Sequence, residues 1–131
     1  MTSKRDTPYV WVTWVSGLLA GDAQCEWAAW YRAHYTRYGK RPSSFNLLKW
    51  KSEHGAAVRA RADLLWDSGY IVYVEGQNKF TFRGKNGVVL AGTPDIVGVK
   101  GGSALVVDCK TGKPKGADAF QVMLYMMVIP Y

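Results

Sequence analysis

The hydrophobic pattern of this 131-residue chain changes its period near residue 70, which limits the folds that the chain can adopt. Before that point apolar residues recur at the spacing of a helix face, and after it they alternate as in strands. Helices are therefore predicted at residues 23–38 and at about 44–68. Strands are predicted at residues 70–75, 79–83, 88–99 (with a break at 92–94) and 103–109, and another helix at about 118–127. This order predicts an α/β domain in which helices are stacked on a sheet.

Composition restricts the partners of the chain more than its fold. The sequence has 17 Lys and Arg against 10 Asp and Glu, a net charge of +7, and 48% hydrophobic residues. The hydrophobic content is enough for one packed domain over residues 1–131, and the basic excess predicts a polyanionic partner. Nucleic acid, an acidic membrane surface and an acidic protein all meet that description, and charge alone does not choose among them.

Neither the N-terminal apolar run nor the cysteines indicate a membrane or secreted protein. The run at residues 9–20 is about half the ~20 residues that a span requires, and its tryptophans are bulky for a signal peptide. Alternation across residues 9–14 predicts an extended segment. Cys25 and Cys109 are too few for a disulfide scaffold. We therefore expect a cytoplasmic protein with no membrane partner.

The densest group of reactive side chains lies in two of the predicted strands. Asp95 begins one strand, and Asp108 and Lys110 are two residues apart on the next, so their side chains leave the same face. Cys109, between them, points to the other face. A hairpin would bring Asp95 beside Asp108, and one end of the sheet would then carry two carboxylates and an ammonium.

These groups suit metal-assisted hydrolysis of a phosphodiester. Carboxylate oxygens hold Mg²⁺ or Mn²⁺, and such an ion polarises a phosphoryl oxygen and acidifies water. A neighbouring lysine can orient the attacking water and stabilise negative charge in the transition state. The alternative is a solvated pair of Asp108 and Lys110 worth about 0–1 kcal/mol. The basic loop after Lys110 favours the catalytic interpretation.

Three segments of the second half resemble the PD-(D/E)XK nuclease superfamily. They are Gly-Thr-Pro-Asp at 92–95, Asp-Cys-Lys-Thr-Gly-Lys at 108–113 and Gln-Val-Met-Leu-Tyr at 121–125. Within the superfamily they are most similar to the RecB-like exonuclease branch, which includes the CRISPR-associated RecB-like nucleases. The resemblance implies a restriction-endonuclease-like core, in which a mixed β-sheet is flanked by helices.

The resemblance also implies a role for each matching residue. In that branch the aspartate of Pro-Asp and the first acid of the D/E-x-K motif bind the metal, and these correspond to Asp95 and Asp108. The motif lysine, Lys110, serves catalysis. The Gln-x-x-x-Tyr pair, Gln121 and Tyr125, lies against the DNA and the active site, holding the scissile strand. Mg²⁺ or Mn²⁺ is the implied cofactor.

A further metal ligand in that branch, usually a histidine, lies on a helix upstream of the strands. His54 matches it by its order along the chain and by its place on the apolar face of the second predicted helix, and a neutral imidazole could complete a carboxylate shell. The alternative is a buried, hydrogen-bonded histidine. Glu53 is the other candidate, because some relatives use a carboxylate there. His34 has no such context and is expected to be partly exposed.

Basic residues and aromatic rings are interleaved between Glu26 and Glu53, where the sequence has no acidic residue. Because basic side chains contact phosphates and exposed rings stack on unpaired bases, this span is a candidate DNA-binding surface. The alternative is a solvated face whose rings are buried. The basic members of the span are Arg32, Arg37, Lys40, Arg41, Lys49 and Lys51. Lys113 and Lys115, which flank the proposed site, are stronger candidates for phosphate contacts.

Cys25 matches the lone N-terminal cysteine of the iron–sulfur members of the branch. Those members also use three cysteines near the C-terminus, whereas only Cys109 is available here, so we expect no iron–sulfur cluster and a buried Cys25. Six residues follow Tyr125, where relatives continue with a strand and a helix. The chain is therefore expected to be either a minimal version of the domain or a fragment.

The sequence predicts a Mg²⁺- or Mn²⁺-dependent nuclease that hydrolyses DNA phosphodiester bonds. The resemblance implies exonuclease action on duplex ends or single strands, with RNA a less expected substrate. Two alternatives stay open: a catalytically inactive nucleic-acid-binding domain on the same fold, and a structure-specific endonuclease.

Overall fold

A computed structural model of the chain describes residues 1–129. The helices in this range are α1 Val12–Leu19, α2 Glu26–His34, α3 Leu47–Asp67 and α4 Gly116–Val128. The strands are β1 Ser3–Lys4, β2 Tyr9–Trp11, β3 Tyr35–Thr36, β4 Ile71–Val74, β5 Phe80–Arg83, β6 Val89–Gly92, β7 Ile96–Lys100 and β8 Ser103–Val107. A 3₁₀ turn, Glu75–Asn78, follows β4. No helix within residues 1–129 is long and apolar enough to cross a membrane.

The strands form mixed pairings, and the predicted α/β architecture is confirmed. Strand β6 pairs in parallel with β2 and antiparallel with β5, whereas β7 pairs antiparallel with both β4 and β8. Strands β1 and β3 form a small antiparallel pair of their own. Turns at Gly87 and Gly101 have positive φ angles of 85° and 60°, which glycine adopts without a steric penalty.

Helix α3 covers the β4–β7–β8 sheet through one apolar face. Val58 and Leu65 of α3 pack with Ile96 of β7, and Cys109 packs against the same cluster. Val58 and Leu65 are seven residues apart, or two helical turns, so they share a face as the hydrophobic pattern predicts. Leu47, which the pattern also places on this face, is 51% exposed at the first turn of the helix.

The N-terminal third differs most from the sequence-based prediction. The predicted extended segment is a strand only over Tyr9–Trp11, and helix α1 begins at Val12. Val12 and Ser16 lie four residues apart and so share one face of α1. Both are buried, because α1 packs against α4. Packing between distant segments therefore overrides the local alternation.

Helix α2 is shorter than predicted. It ends at His34 because Tyr35–Thr36 pairs with β1. Cys25 is exposed and not buried as expected, since it lies at the N-cap, where its Sγ accepts a hydrogen bond from the Ala28 N–H at 3.4 Å. His34 is partly exposed, as predicted, and its Nδ1 lies 2.7 Å from the Trp30 carbonyl.

Candidate active site

The β7–β8 hairpin brings Asp95 and Asp108 to the same end of the sheet. Ile96 is opposite Val107 in the antiparallel register, so Asp95 immediately precedes β7 and Asp108 immediately follows β8. The Cys109 N–H donates a hydrogen bond to Asp95 Oδ2 at 2.8 Å. Asp108 and Lys110 were predicted on the strand itself, but β8 ends at Val107. The two acids are nevertheless neighbours, as the hairpin predicts.

Helix α3 contributes His54 to this sheet end. Its Nε2 lies 3.1 Å from Asp95 Oδ1, and both side chains are 14% exposed. Because a carboxylate accepts but does not donate hydrogen bonds, this contact places the imidazole proton on Nε2. The adjacent Glu53 is directed away, since its exposed carboxylate lies 3.8 Å from Lys49 Nζ.

Helix α4 contributes Gln121, which connects the two ends of the Asp-x-Lys motif. Its Oε1 accepts a hydrogen bond from Lys110 Nζ at 2.9 Å, while its Nε2 donates to Asp108 Oδ1 at 3.2 Å. Lys110 Nζ also lies 2.8 Å from Asp108 Oδ2, as an ion pair without the alignment of a hydrogen bond. These three side chains therefore form a closed polar triangle.

Tyr125 lies one helical turn beyond Gln121 and is buried. Gln121 Nε2 lies 3.3 Å from the Tyr125 hydroxyl, and the ring packs edge-on against Phe80. Gly92, at the end of β6, leaves space for this ring. The buried Tyr125 side chain therefore helps to hold the Gln121 amide in place.

Burial dominates the electrostatics of the site. It raises the pKa of the Asp108 carboxyl above its ordinary value; Lys110 opposes this rise, and the negative charge of Asp95 adds to it. Burial also raises the pKa of the Tyr125 hydroxyl. For Lys110, burial works to lower the pKa, but the contact with Asp108 outweighs it and the net shift is upward. Lys110 is therefore a cation at neutral pH.

A cavity of about 540 Å³ opens onto these groups. The predicted site residues that line it are His54, Asp95, Asp108, Lys110, Lys113, Lys115, Gln121 and Tyr125. Asp118, which was not predicted as a site residue, also lines the cavity, and its Oδ1 lies 3.9 Å from Lys110 Nζ. The only sequence signal for Asp118 was its position as an acidic residue near the start of a predicted helix. There its carboxylate accepts a hydrogen bond from the Lys115 N–H.

The other predicted DNA-binding residues do not line this cavity. Arg32 lies over the Trp14 ring at 4.9 Å, and with Lys40 it lines a separate cavity of about 440 Å³. Lys51 lines a third cavity, which His54 also lines, while Arg37 and Arg41 are exposed. The basic residues between Glu26 and Glu53 therefore lie on several different surfaces and do not form one continuous surface at the active-site cavity.

Carboxylates and an imidazole are the types of donor that a divalent cation such as Mn²⁺ accepts. Asp108 Oδ2 is buried and meets Lys110 Nζ at 2.8 Å as an ion pair, whereas the buried His54 Nδ1 has no hydrogen-bond partner among residues 1–129. Such an atom is costly unless a cation or a donor meets it. Within the same residues, no three His, Cys, Asp or Glu side chains are gathered closely enough to form a metal centre. Lys110 instead supplies the positive charge next to Asp108.

An α/β domain with paired carboxylates and a lysine at one end of its sheet is the architecture of a restriction-endonuclease-like nuclease. The model of the PD-(D/E)XK nuclease superfamily matches residues 19–130, and the chain belongs to this superfamily. Its members are typically nucleases that use a divalent metal, so membership indicates nuclease activity and a nucleic-acid substrate. No curated protein and no solved structure matches the chain.

Proposed function

We propose that the chain hydrolyses phosphodiester bonds of DNA with Mg²⁺ or Mn²⁺, in the manner of the RecB-like exonucleases. The observation that carries this proposal is the closed polar triangle of Asp108, Lys110 and Gln121 next to the Asp95–His54 pair in one open cavity. The alternative, a solvated ion pair of Asp108 and Lys110, explains neither the burial of Asp108, which is 6% exposed, nor the presence of Asp95 beside it.

Asp95 and Asp108 would hold the metal, with His54 as the third ligand. The burial of the Asp108 carboxylate and the 3.1 Å approach of His54 Nε2 to Asp95 Oδ1 support this assignment, and the exposure of Glu53 argues against that residue. When bound, the ion supplies a Lewis acid that polarises the phosphoryl group. Because Asp95 Oδ2 is held by the Cys109 N–H, its position is fixed before any ligand arrives.

Lys110 would orient the attacking water and stabilise the negative charge that develops on the phosphoryl oxygens. As an ammonium it donates hydrogen bonds and cannot take a proton from water. The water oxygen bonds to phosphorus as the bond to the leaving oxygen breaks; the attacking water gives up its proton to solvent, and the leaving oxygen takes a proton from solvent. Gln121 acts as a positioning residue, since it holds Lys110 and Asp108 in one arrangement. Tyr125 supports Gln121 and, through it, the scissile strand.

DNA ends or single strands are the proposed substrates, and the cytoplasm the proposed compartment. Lys113 and Lys115 line the cavity and would contact phosphates on either side of the cleaved bond. The preference for ends rests on the resemblance of residues 92–95, 108–113 and 121–125 to the RecB-like branch. Free thiols at Cys25 and Cys109 suit a reducing compartment.

A cleavage assay tests this proposal. End-labelled single strands, blunt duplexes and closed circular DNA are incubated with the protein in Mg²⁺, Mn²⁺ or EDTA. We expect metal-dependent cleavage of linear DNA with circles left intact. Asp108→Asn and Lys110→Ala should each lower the rate by about 10²–10³-fold, as loss of a charge-stabilising group does in other enzymes.

The matched control is Asp67→Asn, an exposed aspartate at the far end of α3, which lies about 20 Å along the helix from His54. It should cleave like the parent. Cleavage by Asp108→Asn at the parent rate would refute the proposal. Cut circles would instead select the structure-specific endonuclease, and salt-dependent binding without cleavage would select the inactive binding domain.

A further inference from the structure

Two exposed aromatic rings line the active-site cavity and have no role in the chemistry above. Phe45 precedes α3 and Trp50 lies in its first turn, and both line the cavity that contains Asp95 and Asp108. Phe45 is 61% exposed and Trp50 39% exposed. Exposed rings beside a polar site offer flat faces on which a nucleic-acid base can stack.

Local contacts position the backbone at Phe45 and the ring of Trp50. The Phe45 N–H donates to Ser43 Oγ at 3.1 Å, and the next residue, Asn46, caps α3 by accepting from the Lys49 N–H at 3.0 Å. Trp50 lies flat on the His54 imidazole, with ring centres 4.6 Å apart and an angle of 10° between the planes. The Phe45 and Trp50 rings are 6.4 Å apart. The two rings therefore lie next to each other at the edge of the cavity.

We propose that Phe45 and Trp50 stack on an unpaired base next to the scissile phosphate, so that the site takes DNA that is single-stranded at the point of cleavage. This inference rests on the proposed function and names its substrate class. The cavity joins an aromatic surface to the ammonium groups of Lys110, Lys113 and Lys115. A nucleotide carries the two complementary features, a flat base and a phosphate.

Stacking on these rings requires an exposed base face. In a duplex the neighbouring base pairs cover both faces of every base, and extruding one base carries an energetic cost. In a single strand the faces are free, and aromatic side chains bind them with little regard to sequence. The surface therefore selects unpaired DNA without selecting a particular base.

The experiment compares three substrates with the same cleavage position: a single strand, a single strand with an abasic site at that position, and a blunt duplex. The parent should cleave the intact single strand about 5- to 140-fold faster than the abasic one at limiting substrate, the range expected for one base–aromatic stack. Phe45→Ala should lose this difference, and Phe45→Tyr should restore it. Phe82→Ala is the matched control, since Phe82 is 52% exposed on β5 and does not line this cavity.

A binding measurement in EDTA keeps the inference separate from catalysis. A single strand carrying 2-aminopurine, whose emission falls on stacking, should be quenched by the parent and by Phe82→Ala but not by Phe45→Ala. If the 2-aminopurine emission is quenched but no metal-dependent cleavage occurs, the proposed nuclease function is refuted and the inference that Phe45 and Trp50 stack on a base is retained.

Two results would refute base stacking by Phe45 and Trp50 without refuting the nuclease activity. One is equal cleavage of the three substrates by the parent. The other is a Phe45→Ala variant that keeps both the preference for the intact strand and the quenching of 2-aminopurine, which would show that Phe45 does not stack on the base.

Discussion

His54 of α3 and Asp95, which precedes β7, are joined by a hydrogen bond of 3.1 Å between Nε2 and Oδ1. They are 41 residues apart in the chain. The bond ties the helix to the end of the sheet, and Trp50 fixes the plane of the imidazole from one side. His54 Nδ1 is left buried and without a hydrogen-bond partner among residues 1–129. This arrangement makes His54 part of the acidic site and not only of the α3 packing.

We predict that His54→Ala lowers the affinity for Mn²⁺ by at least about 10- to 100-fold, since the loss of even an outer-shell partner of a metal has a cost of this size. Isothermal titration of Mn²⁺ into the purified protein measures this directly. Glu53→Gln changes the neighbouring residue on the same helix but should bind Mn²⁺ like the parent, since Glu53 faces Lys49. Equal affinities for all three proteins would remove His54 from the metal site.

Gln121→Ala should lower kcat by about 10²-fold with little change in KM, because Lys110 and Asp108 lose the side chain that fixes their separation. Gln121→Glu, which keeps an acceptor for Lys110 but loses the donor to Asp108, should fall between parent and Ala. Met123→Ala, at an exposed position two residues along α4, is the control. A raised KM with kcat unchanged would mean that Gln121 binds substrate instead of positioning Lys110.

The sequence predicted the parts of this site that depend on local signals. Turn residues delimit the β7–β8 hairpin, and the alternation inside it gives the register, so the approach of Asp95 to Asp108 followed from the chain itself. The inward position of His54 followed from the spacing of Val58 and Leu65 on one helix. Superfamily membership, predicted from three short segments, is confirmed over residues 19–130.

Features decided by contacts between distant segments could not be predicted. Helix α1 forms where the sequence alternates, because its buried face packs on α4 near the other end of the chain. The closure of the polar triangle by Gln121 depends on where α4 comes to lie, which no local pattern specifies. The same is true of Phe45, whose place beside the acids results from the packing of α3 on the sheet.

Replacing Lys113 and Lys115 together with alanine should raise KM while kcat stays close to that of the parent. Each lysine is proposed to contact a phosphate, so the dependence of log affinity on log salt should fall by about 0.7 per lysine on a single strand. Measuring KM at several salt concentrations gives this slope. Lys79→Ala with Lys85→Ala removes the same charge from exposed positions outside the cavity and should keep more of the slope. Identical slopes for both double variants would exclude a specific contact.

Gly92→Ala should destabilise the fold by about 1–3 kcal/mol, the usual cost of overpacking a core. A Cβ at this position would lie 2.8 Å from a ring carbon of Tyr125 and 3.0 Å from atoms of Phe80 and Val12, so the Tyr125 ring would have to shift. Because Tyr125 supports Gln121, the variant should also lose activity at temperatures where it stays folded. Thermal unfolding followed by circular dichroism measures the stability, with Gly102→Ala as the control, since a Cβ there has no atom within 4 Å. Equal melting temperatures for the two variants would show that the space beside Tyr125 can be filled without strain.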